Sequence, residues 1–151
     1  MSKVIEARTA IARPPQEVFA FVSDPARLPE WQPDVEEAAT EVPGQPAVGV
    51  RGHEVRRVPG GRRTIRWEVT DCEPGRRWGV RGIDGPVRAH VAMALAPADD
   101  GSSTQLDYQI WFEGHGVGKL VGLLARQGAR KDVPQNLALL KQRLEEADLP
   151  R

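Results

Sequence analysis

The chain has 151 residues, 40% hydrophobic and 28% charged, with 21 basic side chains balanced by 21 acidic ones. This length suits one domain, residues 1–151, able to bury a core without a metal or disulfide, and the composition excludes a disordered chain. The single cysteine, Cys72, excludes an intramolecular disulfide and any multi-cysteine zinc or iron–sulfur site.

Residues 3–12 carry Val4, Ile5, Ala7, Thr9 and Ile11 in a rough period of two, which predicts a strand. Arg13-Pro14-Pro15 ends it, and proline suits the first turn of a helix because its missing N–H is unpaired there anyway. Glu17, Val18, Phe19, Phe21 and Val22 then make a short amphipathic helix ending near Ser23-Asp24-Pro25. Residues 25–31 form a second helical turn, cut off by Pro33. From there the pattern is β, with strands over residues 35–42, 48–58, 62–72, 76–83, 87–97 and 103–113. The turns between them are PGQPAVG, Pro59-Gly60-Gly61, Glu73-Pro74-Gly75, Asp84-Gly85-Pro86 and Asp99-Asp100-Gly101. Such short turns mean antiparallel pairing, since parallel strands need crossovers of about a dozen residues.

The last third changes period. Val117, Leu120, Val121 and Leu124, then Val133, Leu137, Leu140 and Leu144, repeat at three and four residues, one face of a long helix with a kink or break expected at Pro134. The predicted architecture is α+β: a strand, two short helices, about six antiparallel strands and a long C-terminal helix. The sheet must cover its apolar face, and the long helix is the element large enough to do so. A curved sheet leaves space beneath that helix, where a ligand cavity is expected.

Familiar catalytic motifs are absent. Gly114-His115-Gly116-Val117-Gly118-Lys119 precedes the helix, but its glycine spacing is not that of a phosphate-binding loop, and Leu120 stands where a hydroxyl should reach magnesium. Lys119 replaces the third glycine of a dinucleotide motif, and the βαβ context is missing. His53, His90 and His115 lie far apart, so no metal site is expected. Ser102 and Ser103 sit in a hairpin turn, not a nucleophile elbow. Asp71 and Glu73 flank Cys72 and would raise its thiol pKa, which disfavours an activated thiolate.

Strand alternation sorts the remaining residues. Leu106, Tyr108, Ile110 and Phe112 share one face of the last strand, and Val87, Ala89, Val91, Met93 and Leu95 share a face of the one before. Ile65, Trp67 and Val69, then Trp78 and Val80, complete the inward set. The candidate ligand-binding residues are therefore Trp67, Trp78, Val80, Val91 and Met93 with Leu106, Tyr108, Ile110 and Phe112. Buried Tyr and Trp need a hydrogen-bond partner, from protein or ligand. Strand 48–58 is ambiguous: Val48 and Val50 share parity with Glu54 and Arg56, whereas Val55 shares it with Arg51, His53 and Arg57. Either His53 or Glu54 could point inward as a general base.

Charge is uneven along the chain. Residues 1–50 hold four bases and eight acids, residues 51–90 ten arginines and five acids, and residues 91–151 seven bases and eight acids. Nucleic-acid binding would need a basic stripe with stacking aromatics. The arginines suit solvated strand faces instead, and no nucleic-acid partner is expected. MSKVIEARTA lacks the apolar stretch of a secretory signal. The aliphatic run at residues 120–125 falls short of the roughly 20 residues of a membrane span. A cytoplasmic protein with no stable membrane anchor, monomeric or homodimeric, is expected.

The opening IEARTAIARPPQEVFAFVSDPARLPEWQPDVEEA resembles the polyketide cyclase/dehydratase branch of the START-like (SRPBCC) superfamily. The resemblance rests on Val18-Phe19, Asp24-Pro25 and Trp31-Gln32-Pro33, then on Trp67-Glu68-Val69, Glu73-Pro74-Gly75 and Leu139-Leu140-Lys141. It implies a helix-grip fold, a curved seven-stranded antiparallel sheet around the C-terminal helix, enclosing a deep hydrophobic cavity. Members of the family bind lipids, sterols, quinones, hormones or polyketides, mostly without a cofactor. The expected function is carriage of a hydrophobic small molecule such as a lipid, isoprenoid or polyketide. A cofactor-independent cyclase/dehydratase using Tyr108 with His53 or Glu54 is the alternative. A third reading is a protein-interaction module contacting partners through Arg56, Arg57, Arg62 and Arg63.

Overall fold

The computed structural model describes residues 4–114 and 118–146. In chain order it has β1 (Ile5–Ile11), α1 (Pro15–Val22), a 3-10 turn (Pro25–Arg27), α2 (Leu28–Trp31), β2 (Val35–Thr40) and β3 (Arg51–Val58). Then come β4 (Gly61–Glu73), β5 (Arg77–Gly82), β6 (Val87–Ala98), a second 3-10 turn (Asp99–Gly101), β7 (Ser103–Gly114) and α3 (Gly118–Glu146). The strands form one antiparallel sheet in the order β1-β7-β6-β5-β4-β3-β2, so the first strand pairs with the last and the sheet is open between β1 and β2. This is the expected seven-stranded, helix-grip arrangement.

Helix α1 starts at Pro15 behind an extended Pro14, and Val18, Phe19, Phe21 and Val22 are buried. Its end is closed by Ser23, whose Oγ donates to the Phe19 carbonyl at 2.7 Å. Asp24 then starts the 3-10 turn by accepting from the Ala26 N–H at 3.0 Å. The buried Trp31 of α2 sits beneath α3, and Arg143 ties the two helices by donating to the Glu30 carbonyl.

Cross-strand rungs lead from the packed core into the cavity. Leu95 pairs with Leu106, Met93 with Tyr108, Val91 with Ile110 and Ala89 with Phe112. At the core end, Ile11, Leu95 and Leu106 pack with Val133, Leu137, Leu140 and Leu144 of α3. A bulge between Val69 and Asp71 shifts the β4 register, so Val69 and Cys72 both turn toward the core while Asp71 faces Arg77 outside.

Three expectations change. Residues 48–50 do not begin the strand, which starts at Arg51; Val48 is exposed and residues 41–42 lie beyond β2. The break at Pro134 is absent: α3 is one helix from Gly118 to Glu146. Pro134 is on its exposed side, so the carbonyl it leaves without a partner, that of exposed Arg130, can turn to water while buried Val133 and Leu137 hold the backbone in place. The apolar face of α3 is also not uniformly packed, for Val121 and Leu124 are exposed. Val117 and His115 lie outside the described residues. Among the described residues, no helix is long and apolar enough to cross a membrane.

Candidate functional site

Between the concave sheet face and the N-terminal half of α3 lies a cavity of about 1090 Å³. Its wall is largely the inward set read from strand alternation. Trp67 and Ile65 come from β4, Trp78 and Val80 from β5, Val91 and Met93 from β6, and Tyr108, Ile110 and Phe112 from β7. Phe19 of α1 packs edge-on against Trp78, with ring centroids 6.0 Å apart, and so fixes the indole that forms this wall. Leu106 is fully buried one rung deeper in the core and does not line the cavity.

The ambiguity of β3 is resolved by its pairing with β4. Gly52 lies opposite Trp67, Glu54 opposite Ile65 and Arg56 opposite Arg63, and cross-strand partners share a face. Glu54 and Arg56 therefore line the cavity, while His53 sits on the other face and does not. Arg56 is thus removed from the four-arginine surface expected of an interaction module. Of the other three, Arg57 and Arg62 pair with Glu36 at 3.6 and 3.0 Å.

Arg56 is the centre of the polar part of the site. Its Nε donates to Glu54 Oε2 at 2.9 Å, and its Nη2 lies 2.7 Å from the same oxygen and donates to Gln32 Oε1 at 2.7 Å. The Glu54 side chain is 13% exposed and that of Arg56 is 28% exposed, so the pair is well shielded without being sealed from water. Its Nη1 makes no hydrogen bond among the described residues, leaving two N–H donors for a ligand oxygen. Opposite, on β7, the Tyr108 hydroxyl also has no partner among the described residues. Burial pushes its pKa up to about 12, with Arg56 pulling it down and Glu54 pushing it up by smaller amounts. Tyr108 is therefore a neutral phenol at physiological pH, able to donate a hydrogen bond. Trp31 Nε1 is buried without a partner at the same cavity wall.

Gln32 and Trp31 could not be assigned to the site from alternation because they lie in and just after a four-residue helix, too short to show a period. Cys72 is half-buried, with its thiol pKa raised by burial and by Asp71. Among the described residues, no three His, Cys, Asp or Glu side chains cluster as a metal site requires.

A curved antiparallel sheet closed over by a helix around an apolar, tryptophan-walled cavity defines the helix-grip class of folds. Residues 3–145 match the family described as polyketide cyclase/dehydrase and lipid transport, and the chain belongs to that family. An uncharacterized protein of Mycobacterium tuberculosis is 26% identical over 134 residues, covering 88% of this chain and 92% of that one. A START superfamily protein from Mycobacterium smegmatis has the same fold, with a TM-score of 0.76 at 16% identity over 96% of this chain and 99% of that one. The ZhuI aromatase/cyclase of a Streptomyces species superposes equally well, with a TM-score of 0.76 at 15% identity over 95% and 93% of the two chains.

Proposed function

We propose that this protein binds and carries an apolar small molecule of lipid, isoprenoid or polyketide type in the cavity beneath α3. The observation that carries this reading is the cavity itself, about 1090 Å³ walled by indole and aliphatic side chains with one concentrated polar cluster. Apolar walls supply affinity, and a few fixed polar groups orient the ligand. The Arg56–Glu54 pair is neutral overall, so it suits a hydroxyl, carbonyl or phenol oxygen better than a carboxylate. Tyr108 reaches toward the same ligand from the facing wall.

The presence of Arg56 inside the cavity favours a second reading, a cofactor-independent cyclase/dehydratase. Catalysis of aldol closure needs a cation or hydrogen-bond donors at the oxygen that gains charge. Here the Nη1 N–H groups of Arg56 and the Tyr108 phenol could serve that oxygen, while the Glu54 carboxylate takes the proton from the attacking carbon. Glu54 returns that proton to the new alkoxide, the resulting hydroxyl leaves as water with a hydrogen from the adjacent carbon, and enolisation of the remaining ring ketones gives the aromatic ring.

Mass spectrometry of the freshly purified protein, native against denatured, tests both readings. A ligand held near nanomolar affinity, about −12 kcal/mol, survives purification. Release of an isoprenoid, acyl chain or sterol is the expected outcome, and release of a hydroxylated polycyclic aromatic would favour the second reading. Failure of every such compound to raise the melting temperature at saturation would overturn both.

A further inference from the structure

We propose that the rim of the cavity mouth docks on the surface of an anionic lipid bilayer. Residues that both line the cavity and face solvent mark its mouth: Val121 and Leu124 on α3, and Arg57, Pro59 and Arg63 on and beside the β3–β4 hairpin tip. Val121 is 43% exposed, Leu123 is 56% exposed and Leu124 is 64% exposed, three aliphatic side chains within a single turn of one helix. The C-terminal half of the same helix buries Leu137, Leu140 and Leu144 and half-buries Leu139, so the large exposed aliphatic side chains of the helix are confined to the part above the cavity. Apolar side chains grouped in this way at an opening mark an interaction surface rather than ordinary surface scatter.

The charge around them selects the partner. Residues 118–131 hold four bases and no acid, and residues 57–63 hold three arginines and no acid. Glu36 neutralises part of this through Arg57 and Arg62, and Asp34, Asp84 and Asp132 also line the cavity. Arg63 has no ion-pair partner among the described residues, and Arg62, Arg63, Lys119, Arg130 and Lys131 are exposed. The bases still outnumber the acids. A basic rim enclosing exposed aliphatic side chains is the chemistry of an interfacial membrane-binding surface: the bases pair with lipid phosphates and the aliphatics enter the headgroup boundary. Docked in this way, the mouth opens onto the bilayer and an apolar ligand passes without crossing water.

This goes beyond the reading of the cavity, and the two can fail separately, because vesicle binding reports on the rim and released ligand reports on the interior. The test is co-sedimentation of the full chain with vesicles of phosphatidylcholine alone or with about 30% phosphatidylglycerol. The expected result is binding to the anionic vesicles at least about ten-fold tighter than to the neutral ones. Binding should collapse when ionic strength rises from about 0.1 to about 1 M, as the screening length falls from about 10 to about 3 Å. Leu123→Ser and the double variant Arg63→Glu/Lys131→Glu should each weaken binding about ten-fold or more while circular dichroism stays native. Leu123 does not line the cavity, so its variant leaves the interior intact. No binding, equal binding to both vesicle types, or binding unchanged in both variants would overturn the proposal. So would a wild-type dimer that Leu123→Ser dissociates, since the face would then be a self-association surface.

Discussion

Tyr108 is the chain's single tyrosine, so phenolate absorbance reads one site. Its pKa is raised to about 12 in the folded protein from an ordinary 10.0, chiefly because burial disfavours the phenolate. Below pH 10 the phenol is protonated in both the folded and unfolded chains, and the stabilisation it contributes is fully present. Above pH 10 the unfolded chain ionises first, so stability falls as pH rises and is lost by about pH 12, by about 2–3 kcal/mol in all. Urea unfolding followed between these pH values should show this fall in the wild type and a shallower one in Tyr108→Phe. An unchanged slope in the variant would mean that Tyr108 is not held away from water. At neutral pH the same variant should lose little stability, because its hydroxyl has no protein partner among the described residues. The inward direction of Tyr108 was legible from alternation along residues 103–113. Its polar companions were less so, since Gln32 belongs to no periodic element.

At the scale of elements, the β3–β4 hairpin shows where a sequence reading stops short and why. The tip closes with Val58 opposite Gly61, a two-residue turn at Pro59-Gly60. Reading Pro59-Gly60-Gly61 as a three-residue turn leaves the register open, and a shift of one residue exchanges His53 for Glu54 in the cavity. The C-terminal helix was legible from its leucines, whereas the continuity across Pro134 was not, because burial on the opposite face decides it. One close approach fixes the strand pair. A Cβ on Gly52 would collide with Cη2 and Cζ2 of Trp67 and with the Ala39 carbonyl, so this glycine makes the space in which the indole lies. Gly52→Ala should therefore push the Trp67 ring toward the cavity and destabilise the protein by about 1–3 kcal/mol, measured by urea midpoint. Adding Trp67→Phe to that variant should recover part of the loss, because a smaller ring needs less room. A neutral Gly52→Ala would show that Trp67 has another resting place.

The whole molecule divides into a packed end and a hollow end along a single helix. The packed end is encoded locally, since each of its leucines recurs at helical or strand spacing. The hollow end is not, because a cavity volume is the difference between sheet curvature and the summed size of many side chains, and no short pattern records it. Tryptophan placement offers a way to read that hollow directly. Of the four tryptophans, Trp31, Trp67 and Trp78 line the cavity, while Trp111 stacks on His90 at the outer face with ring centroids 5.1 Å apart. A brominated long-chain alcohol entering the cavity should quench by contact the emission of the three inner indoles, which border the space it occupies. Trp78→Phe should then lower the quenchable emission, whereas Trp111→Phe should remove mainly emission that the alcohol leaves unquenched, because Trp111 does not line the cavity. The opposite pattern, with Trp111 as the indole mainly quenched, would place the alcohol on the outer face of the sheet and count against the cavity as the binding site. Competition by the unbrominated alcohol that restores the emission would tie the signal to a saturable site, since such a ligand has the apolar body and single oxygen that the wall and Arg56 accommodate.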